Sequence, residues 1–172
     1  MKEDFVVGLD GLKAGSRRLE WHADGEFFGD FENSGIPDAD LDIVADLARA
    51  AGCVKVDISV EGTVVTSCDR CLADLTLPVS VEIALDVVPG ESGKPFSEEG
   101  REIVSLAPGE DSLDLGQVIY DYVCTSLPIV RTHPEGQCDP DVVRYLDHPG
   151  QGSPESNPEN PFKSLENLLE KK

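Results

Sequence analysis

The sequence predicts an α+β domain built on a largely antiparallel β-sheet, with one packed helix and a short C-terminal helix. Three observations support this fold class. Two segments of alternating apolar and polar residues flank a short turn, a later segment has apolar residues at helical spacing, and a Pro- and Gly-rich stretch precedes the last residues. The pattern leaves two arrangements of the sheet open, one barrel-like and one not closed.

The two segments around the short turn carry most of this prediction. Apolar and polar residues alternate over residues 54–60 and again, in one phase, over residues 75–87. Strands this close in the chain are expected to pair antiparallel. Gly62 interrupts the first pattern and predicts a bulge, while Pro78 places the second strand at a sheet edge or a break.

Other segments give weaker strand signals. Residues 5–9 and 19–23 are strand candidates, and a short strand is expected at 103–106 within a loop-like acidic region. Residues 41–51 fit the strand and helix periods equally, so the sequence leaves their type open.

The packed helix is predicted from an apolar stripe over residues 115–123, at positions i, i+3, i+4, i+7 and i+8. Asp114 can cap its start, with Gln117 completing a capping box, and Pro128 ends it. A short helical turn is expected at residues 139–147, where an aspartate precedes a proline.

These elements divide the chain into a domain at residues 1–146, a flexible linker at 147–160 and an amphipathic helix at 161–172. Such a short helix is unstable alone in water. It is therefore expected to dock on its own domain or on a partner.

The charge of the chain restricts its partners. Asp and Glu total 34 against 14 Lys and Arg, a formal net charge of −20. Such a surface repels phosphate backbones and attracts basic proteins, although solubility alone also explains the excess. The sequence has no long apolar run, which predicts a cytoplasmic protein without membrane contact.

The five cysteines suggest metal binding or burial, because a reducing compartment disfavours disulfides and an odd number cannot all pair within one chain. Cys68 and Cys71 occupy the predicted hairpin turn with the spacing of a zinc knuckle. His133 and Cys138, in a later loop, can complete a Cys₃His site that binds zinc. The alternative is a solvated histidine and a small buried cysteine.

Other chemistry is less well supported. A redox pair would place its first cysteine at a helix N-terminus, whereas a strand pattern follows Cys71. Cys53 and Cys124 have no supporting neighbours and are expected to be inert. The sequence has no phosphate loop, GxSxG or HExxH motif, and no enzymatic activity is predicted. Arg70 and Arg131 could form a small basic spot for RNA, or could pair with nearby acids.

Three segments carry a family resemblance: CDRCL at 68–72, the stretch from LDLGQ to HPEGQC at 113–138, and NPFKSLENL at 160–168. Together they resemble the YceD-like family, the large ribosomal RNA subunit accumulation proteins. The resemblance implies a bacterial cytosolic protein that acts without catalysis in the build-up of large-subunit rRNA, and it implies binding of metal and of nucleic acid. Many members carry further cysteines where this chain has only Cys138, so either the site is incomplete here or His133 substitutes for a cysteine.

The sequence thus predicts a non-enzymatic factor in the accumulation or assembly of the large ribosomal subunit. Its acidic surface would bind a basic ribosomal protein or a pre-ribosomal particle. One alternative is a zinc-dependent RNA-binding module that uses Arg70 and Arg131. Another is a thiol oxidoreductase that uses Cys68 and Cys71.

Overall fold

The computed structural model describes residues 5–9, 15–31, 35–50, 52–90, 95–97 and 99–147. Within these residues the chain forms strands and helices in a mixed order, confirming the α+β class. The elements are β1 (Val6–Gly8), β2 (Ser16–Asp24), α1 (Gly25–Gly29), β3 (Asp38–Ala50), β4 (Cys53–Ser67), β5 (Asp74–Pro89), β6 (Glu102–Leu106), β7 (Ser112–Asp114), α2 (Leu115–Ser126) and α3 (Pro140–Asp147).

Most of the strands form one five-stranded sheet with the order β2-β3-β4-β5-β6. The first four strands pair antiparallel, and β6 is parallel to β5. In the described residues β2 and β6 are the edges of this sheet, so of the two arrangements allowed by the sequence the sheet is not a closed barrel. The short strands β1 and β7 form a separate antiparallel pair.

The hairpin of β4 and β5 is confirmed, with a continuous register from Val54 opposite Val87 to Ser67 opposite Asp74. The ambiguous segment at 41–51 lies largely in β3, which is a strand because β2 and β4 pair with it on both sides. Alternate side chains of these strands enter the core, as their period of two requires.

The bulge predicted at Gly62 is absent, because Gly62 pairs in uninterrupted register with Leu41 on one side and Val79 on the other. Its φ angle is 145°, and a Cβ atom there would collide with the backbone carbonyl of Asp40. Glycine is therefore required here because two strands approach closely, and not because an extra residue is inserted into the strand.

Pro78 lies at a sheet edge, as predicted. The parallel strand β6 covers β5 only from Leu85 to Pro89, so the described strands leave the outer side of Pro78 unpaired. Proline has no amide proton. It is tolerated there because no neighbouring strand requires a hydrogen bond from this residue.

Arg101 fixes the segment before β6 to the sheet. Its guanidinium donates to Asp86 and Asp57 at 2.7 Å each, and to the backbone carbonyls of Val56 and Leu85 at 3.1 and 3.0 Å. Only 14% of this side chain is exposed. The planar guanidinium of arginine can donate hydrogen bonds to several separate acceptors in this way.

Helix α2 buries the predicted stripe against the core through Leu115, Ile119 and Val123. The carboxylate of Asp114 accepts from the amide of Gly116 at 2.8 Å and so caps the start. The predicted capping box is not formed, because the side chain of Gln117 donates to Asp121 at 2.9 Å, one turn further on.

The remaining elements were partly missed by the sequence. Helix α1 buries Phe27 and Phe28, which pack in a ring cluster with Phe5, Phe31 and Tyr120. Helix α3 confirms the short helical turn and includes Asp147, where the linker was expected to begin. The rest of that linker and the helix predicted at 161–172 lie outside the described residues.

None of the helices in the described residues has the length and apolar character needed to cross a membrane.

Candidate metal centre

The turn that joins β4 to β5 positions the first two cysteines. The amide of Cys68 donates to the carbonyl of Ala73, and the amide of Leu72 donates to the carbonyl of Cys68, both at 2.9 Å. These bonds fold the turn tightly enough for both sulfurs to face the same side. Leu72 completes the turn with a φ of 62°, a left-handed conformation that is unusual for leucine.

The loop between α2 and α3 is held against this turn by a reciprocal pair of bonds. The amide of Asp69 donates to the carbonyl of Arg131, and the amide of Arg131 donates to the carboxylate of Asp69, both at 2.7 Å. The Arg131 guanidinium also donates to the hydroxyl of Thr66 at 3.1 Å. This joint brings His133 and Cys138 to the hairpin turn.

The structure brings together all four side chains that the sequence proposed as ligands, a group we call the Cys₃His cluster: Cys68, Cys71, His133 and Cys138. Their ligand atoms all lie within 4.8 Å of one another. Cys68 Sγ is 3.9 Å from Cys138 Sγ, and His133 Nδ1 is 3.4 Å from Cys71 Sγ and 3.9 Å from Cys138 Sγ.

These distances fit a tetrahedral metal site. With zinc–sulfur bonds of about 2.3 Å, tetrahedral geometry places two sulfur ligands about 3.8 Å apart, close to the separation of Cys68 and Cys138. Three thiolates and an imidazole are a donor set that zinc prefers. Because four protein ligands fill a tetrahedral shell, such a site has no position for a substrate and is structural in type.

The ring of His133 is oriented by a contact on its far side. Its Nε2 atom lies 3.0 Å from the carbonyl oxygen of Asp74. A carbonyl oxygen can only accept, so this contact assigns the ring proton to Nε2 and leaves the lone pair of Nδ1 directed at the sulfurs. Metal-bound histidines in proteins are usually held by such a second hydrogen bond.

The turn amides favour thiolate at Cys68. Burial raises the pKa of the Cys68 thiol, but the backbone amides of Cys71, His133 and Arg70 outweigh it and lower the pKa to about 6. The amide of Asp139, followed by that of Ala73, lowers the pKa of Cys71. Burial instead raises the pKa of Cys138. Two of the three sulfurs are therefore prepared to bind a cation.

A small apolar cluster, which contacts the main core through the half-buried Leu77, surrounds the site. Cys68, Cys71 and Leu75 are buried there, and Val142 of α3 packs against them. This environment limits access of water to the sulfurs. It also ties α3 to the hairpin turn.

The other two cysteines lie elsewhere. Cys53 opens β4 and is half-buried, far along the strand from the turn. Cys124 lies in α2, where burial raises the pKa of its thiol and Tyr120 is its hydrogen-bonding neighbour. Neither belongs to a metal-ligating group among the described residues.

The two arginines proposed for RNA contact have different surroundings. The Arg131 guanidinium lies 3.7 Å from the carboxylate of Asp69 as well as contacting Thr66, and its side chain is one-third exposed. Arg70 is exposed at the tip of the turn. Sequence reasoning missed Asp69 as the residue that joins turn and loop; its place between the two cysteines was the only signal.

A family model described as large ribosomal RNA subunit accumulation protein YceD matches residues 56–169, more than half of the chain. The chain belongs to this family. All four side chains of the Cys₃His cluster fall within the matched range. No curated protein and no solved structure matches the chain.

Proposed function

We propose that this YceD-family chain is a non-enzymatic factor in accumulation or assembly of the large ribosomal subunit. In this role it binds a basic ribosomal protein, free or within a pre-ribosomal particle, and zinc in the Cys₃His cluster braces the binding domain. Family membership supports the ribosomal role. The close approach of three cysteine sulfurs and one imidazole nitrogen is the observation that carries the zinc proposal.

The charge of the exposed sheet face supports a basic partner. Asp42 lies directly opposite Glu61, and Asp46 directly opposite Asp57, so each pair of carboxylates shares one face. Like charges in this register destabilise a sheet. Three of these carboxylates have a basic side chain nearby: Asp46 has Arg18, Asp42 has His22 and Asp57 has Arg101. Within the described residues no ion pair is formed by Glu61, or by Glu82 of β5. Lys and Arg side chains of a partner would relieve this repulsion.

Zinc would contribute by holding the late loop on the hairpin turn. Cys68 and Cys71 precede β5, whereas His133 and Cys138 follow α2. One ion would therefore connect the two ends of the segment that runs from β5 to α2. The direct bonds between Asp69 and Arg131 lie at the same place. The ion would therefore reinforce a joint that the backbone already forms.

The proposal is tested by binding the purified full chain to two separate probes, protein extracted from the large ribosomal subunit free of RNA, and naked large-subunit rRNA. We expect a basic protein to be retained, with an affinity that falls as salt rises. The double variant Asp42→Asn, Glu61→Gln should weaken this binding several-fold. A matched control is Glu26→Gln with Asp121→Asn, which removes the same charge from exposed helical positions.

Retention of rRNA alone would contradict the protein-partner proposal. If that retention were lost in Arg70→Ala, the alternative of a zinc-dependent RNA-binding module would be supported instead. Retention of neither probe would contradict both versions.

A further inference from the structure

Exposed apolar side chains are concentrated around the Cys₃His cluster. Of the seven large apolar side chains that the structure exposes among its described residues, five lie in the segments that build this cluster, and we call these five the tip patch. They are Leu72, Ile129, Val130, Tyr145 and Leu146. Ile129 is 98% exposed and Tyr145 82% exposed. Concentrations of this kind on a soluble protein mark interaction sites more often than chance.

Hydrogen bonds and packing bring the segments that carry these residues together at the hairpin turn between β4 and β5. Leu72 follows Cys71 in the turn, and Val130 precedes Arg131, whose backbone is bonded to Asp69 of the same turn. Val142 packs against the buried cysteines. Tyr145 and Leu146 follow it by three and four positions, so they extend the same side of α3 beyond the cluster.

The conformation of Leu72 is a second, independent sign. It has a φ of 62°, where glycine is favoured, and its side chain is 75% exposed. A leucine in this position gains little from burial within its own chain and strains the backbone. Such strain is concentrated at functional sites, where another interaction offsets it.

The charges around the tip patch indicate what would cover it. The exposed carboxylates of Asp74, Glu135, Asp139 and Asp141 lie in the same segments, on a chain of net charge −20. Of the arginines there, Arg131 already pairs with Asp69. An apolar centre with an acidic rim complements a segment that has apolar anchors and Lys or Arg beside them.

We propose that the tip patch is a docking surface for such a segment of a basic polypeptide. The proposal rests on the proposed function and adds to it the place where the partner's apolar residues bind. The acidic sheet face attracts the partner over distance, and the tip patch supplies the short-range contact that holds it.

The test compares Leu72→Gly and Ile129→Ser with a matched control, Phe96→Ser. Glycine suits the φ angle of residue 72, and Ile129 is almost fully exposed, so both variants should keep the fold. Phe96 is also exposed but lies beside Glu102, which pairs with the opposite end of β5. The probe is again RNA-free protein extracted from the large ribosomal subunit, bound to the full chain.

We expect each tip variant to bind the basic protein about fivefold to tenfold more weakly, and Phe96→Ser to bind as the unaltered chain does. A photo-crosslinking residue at position 129 should form an adduct with that protein, and one at position 96 should not. Melting temperature and metal content should be unchanged in both tip variants, and measuring them tests whether the fold is retained.

Several outcomes would overturn this inference. If both tip variants bind normally while Asp42→Asn, Glu61→Gln binds weakly, the proposed function stands and the tip patch is not the docking surface. Adducts at position 129 with rRNA, with a second copy of the chain, or with its own residues 161–172 would identify another occupant. If the unaltered chain retains no large-subunit protein, the proposed function fails together with the inference.

Discussion

Cys71 has two roles. Its sulfur lies in the Cys₃His cluster, and its backbone forms part of the turn between β4 and β5. Serine is nearly the same size but is a poor zinc ligand. We therefore expect Cys71→Ser to lose stoichiometric zinc, measured by elemental analysis of the purified chain. Cys124→Ser is the matched control and should retain the metal. Equal zinc content in the two variants would contradict the assignment of the ligands.

Zinc retention should also depend on pH in a definite direction. Turn amides overcome burial and lower the pKa of Cys68 to about 6, whereas contact with Cys68 and Asp74 raises the pKa of His133. Metal and proton compete for every ligand, and burial raises the pKa of Cys138, so zinc affinity should already fall as the pH drops through neutrality. It should fall more steeply below about pH 6, where Cys68 also becomes protonated. Titration with a colorimetric chelator measures this. A fall that does not steepen there would contradict Cys68 as a thiolate ligand of lowered pKa.

At this scale the sequence predicted which side chains meet in the Cys₃His cluster better than it predicted the residues that support them. Cysteine and histidine are scarce here, with five and three residues, so spacing alone singled out the four side chains. Asp69 was not predicted to bond Arg131, because the chain has 34 acidic residues and local sequence does not show which of them meets a given arginine. The left-handed conformation of Leu72 has no sequence signal either.

Among the elements, the contact between β3 and β4 at Gly62 gives a direct test. A Cβ atom at 62 would meet the carbonyl oxygen of Asp40, so Gly62→Ala should destabilise the protein by about 3 kcal/mol or more. Gly109 also has a positive φ, 89°, but no heavy atom lies within 4 Å of the added carbon. Gly109→Ala should therefore cost only about 1 kcal/mol. Denaturant unfolding of both variants measures the difference, and equal losses would refute the steric explanation.

The elements differ in how far local pattern could predict them. The hairpin at β4 and β5 was predictable because the period of two runs through both strands. The parallel pairing of β6 was not, since periodicity carries no information on strand direction. Helix α1 has only five residues and too few turns for a period; its aromatic packing defines it instead. Residues 41–50, the described part of the ambiguous segment, form a strand because both neighbouring strands pair with them.

For the whole molecule, the division of the buried apolar residues into two clusters, which share only the half-buried Leu77 among the described residues, predicts unequal responses to metal loss. The main core involves the sheet, α1 and α2, whereas the smaller cluster holds the cysteine turn and Val142. With zinc bound in the Cys₃His cluster as proposed, its removal by a chelator should speed amide hydrogen exchange in the turn at 68–73 and the loop at 129–139. Exchange in β3 should hardly change, because its pairing does not involve the site. Uniform acceleration throughout the chain would show that the two clusters unfold as one.

The spacing of the ligands along the chain also affects the order of events during synthesis. Cys71 and His133 are 62 residues apart, and Cys68 and Cys138 are 70 apart. A nascent chain exposes the first pair long before the second, so full coordination must wait until β5, β6 and α2 have emerged. Closing so long a loop is entropically unfavourable until those elements have folded and brought its ends together. Capture of the ion would therefore mark a finished domain.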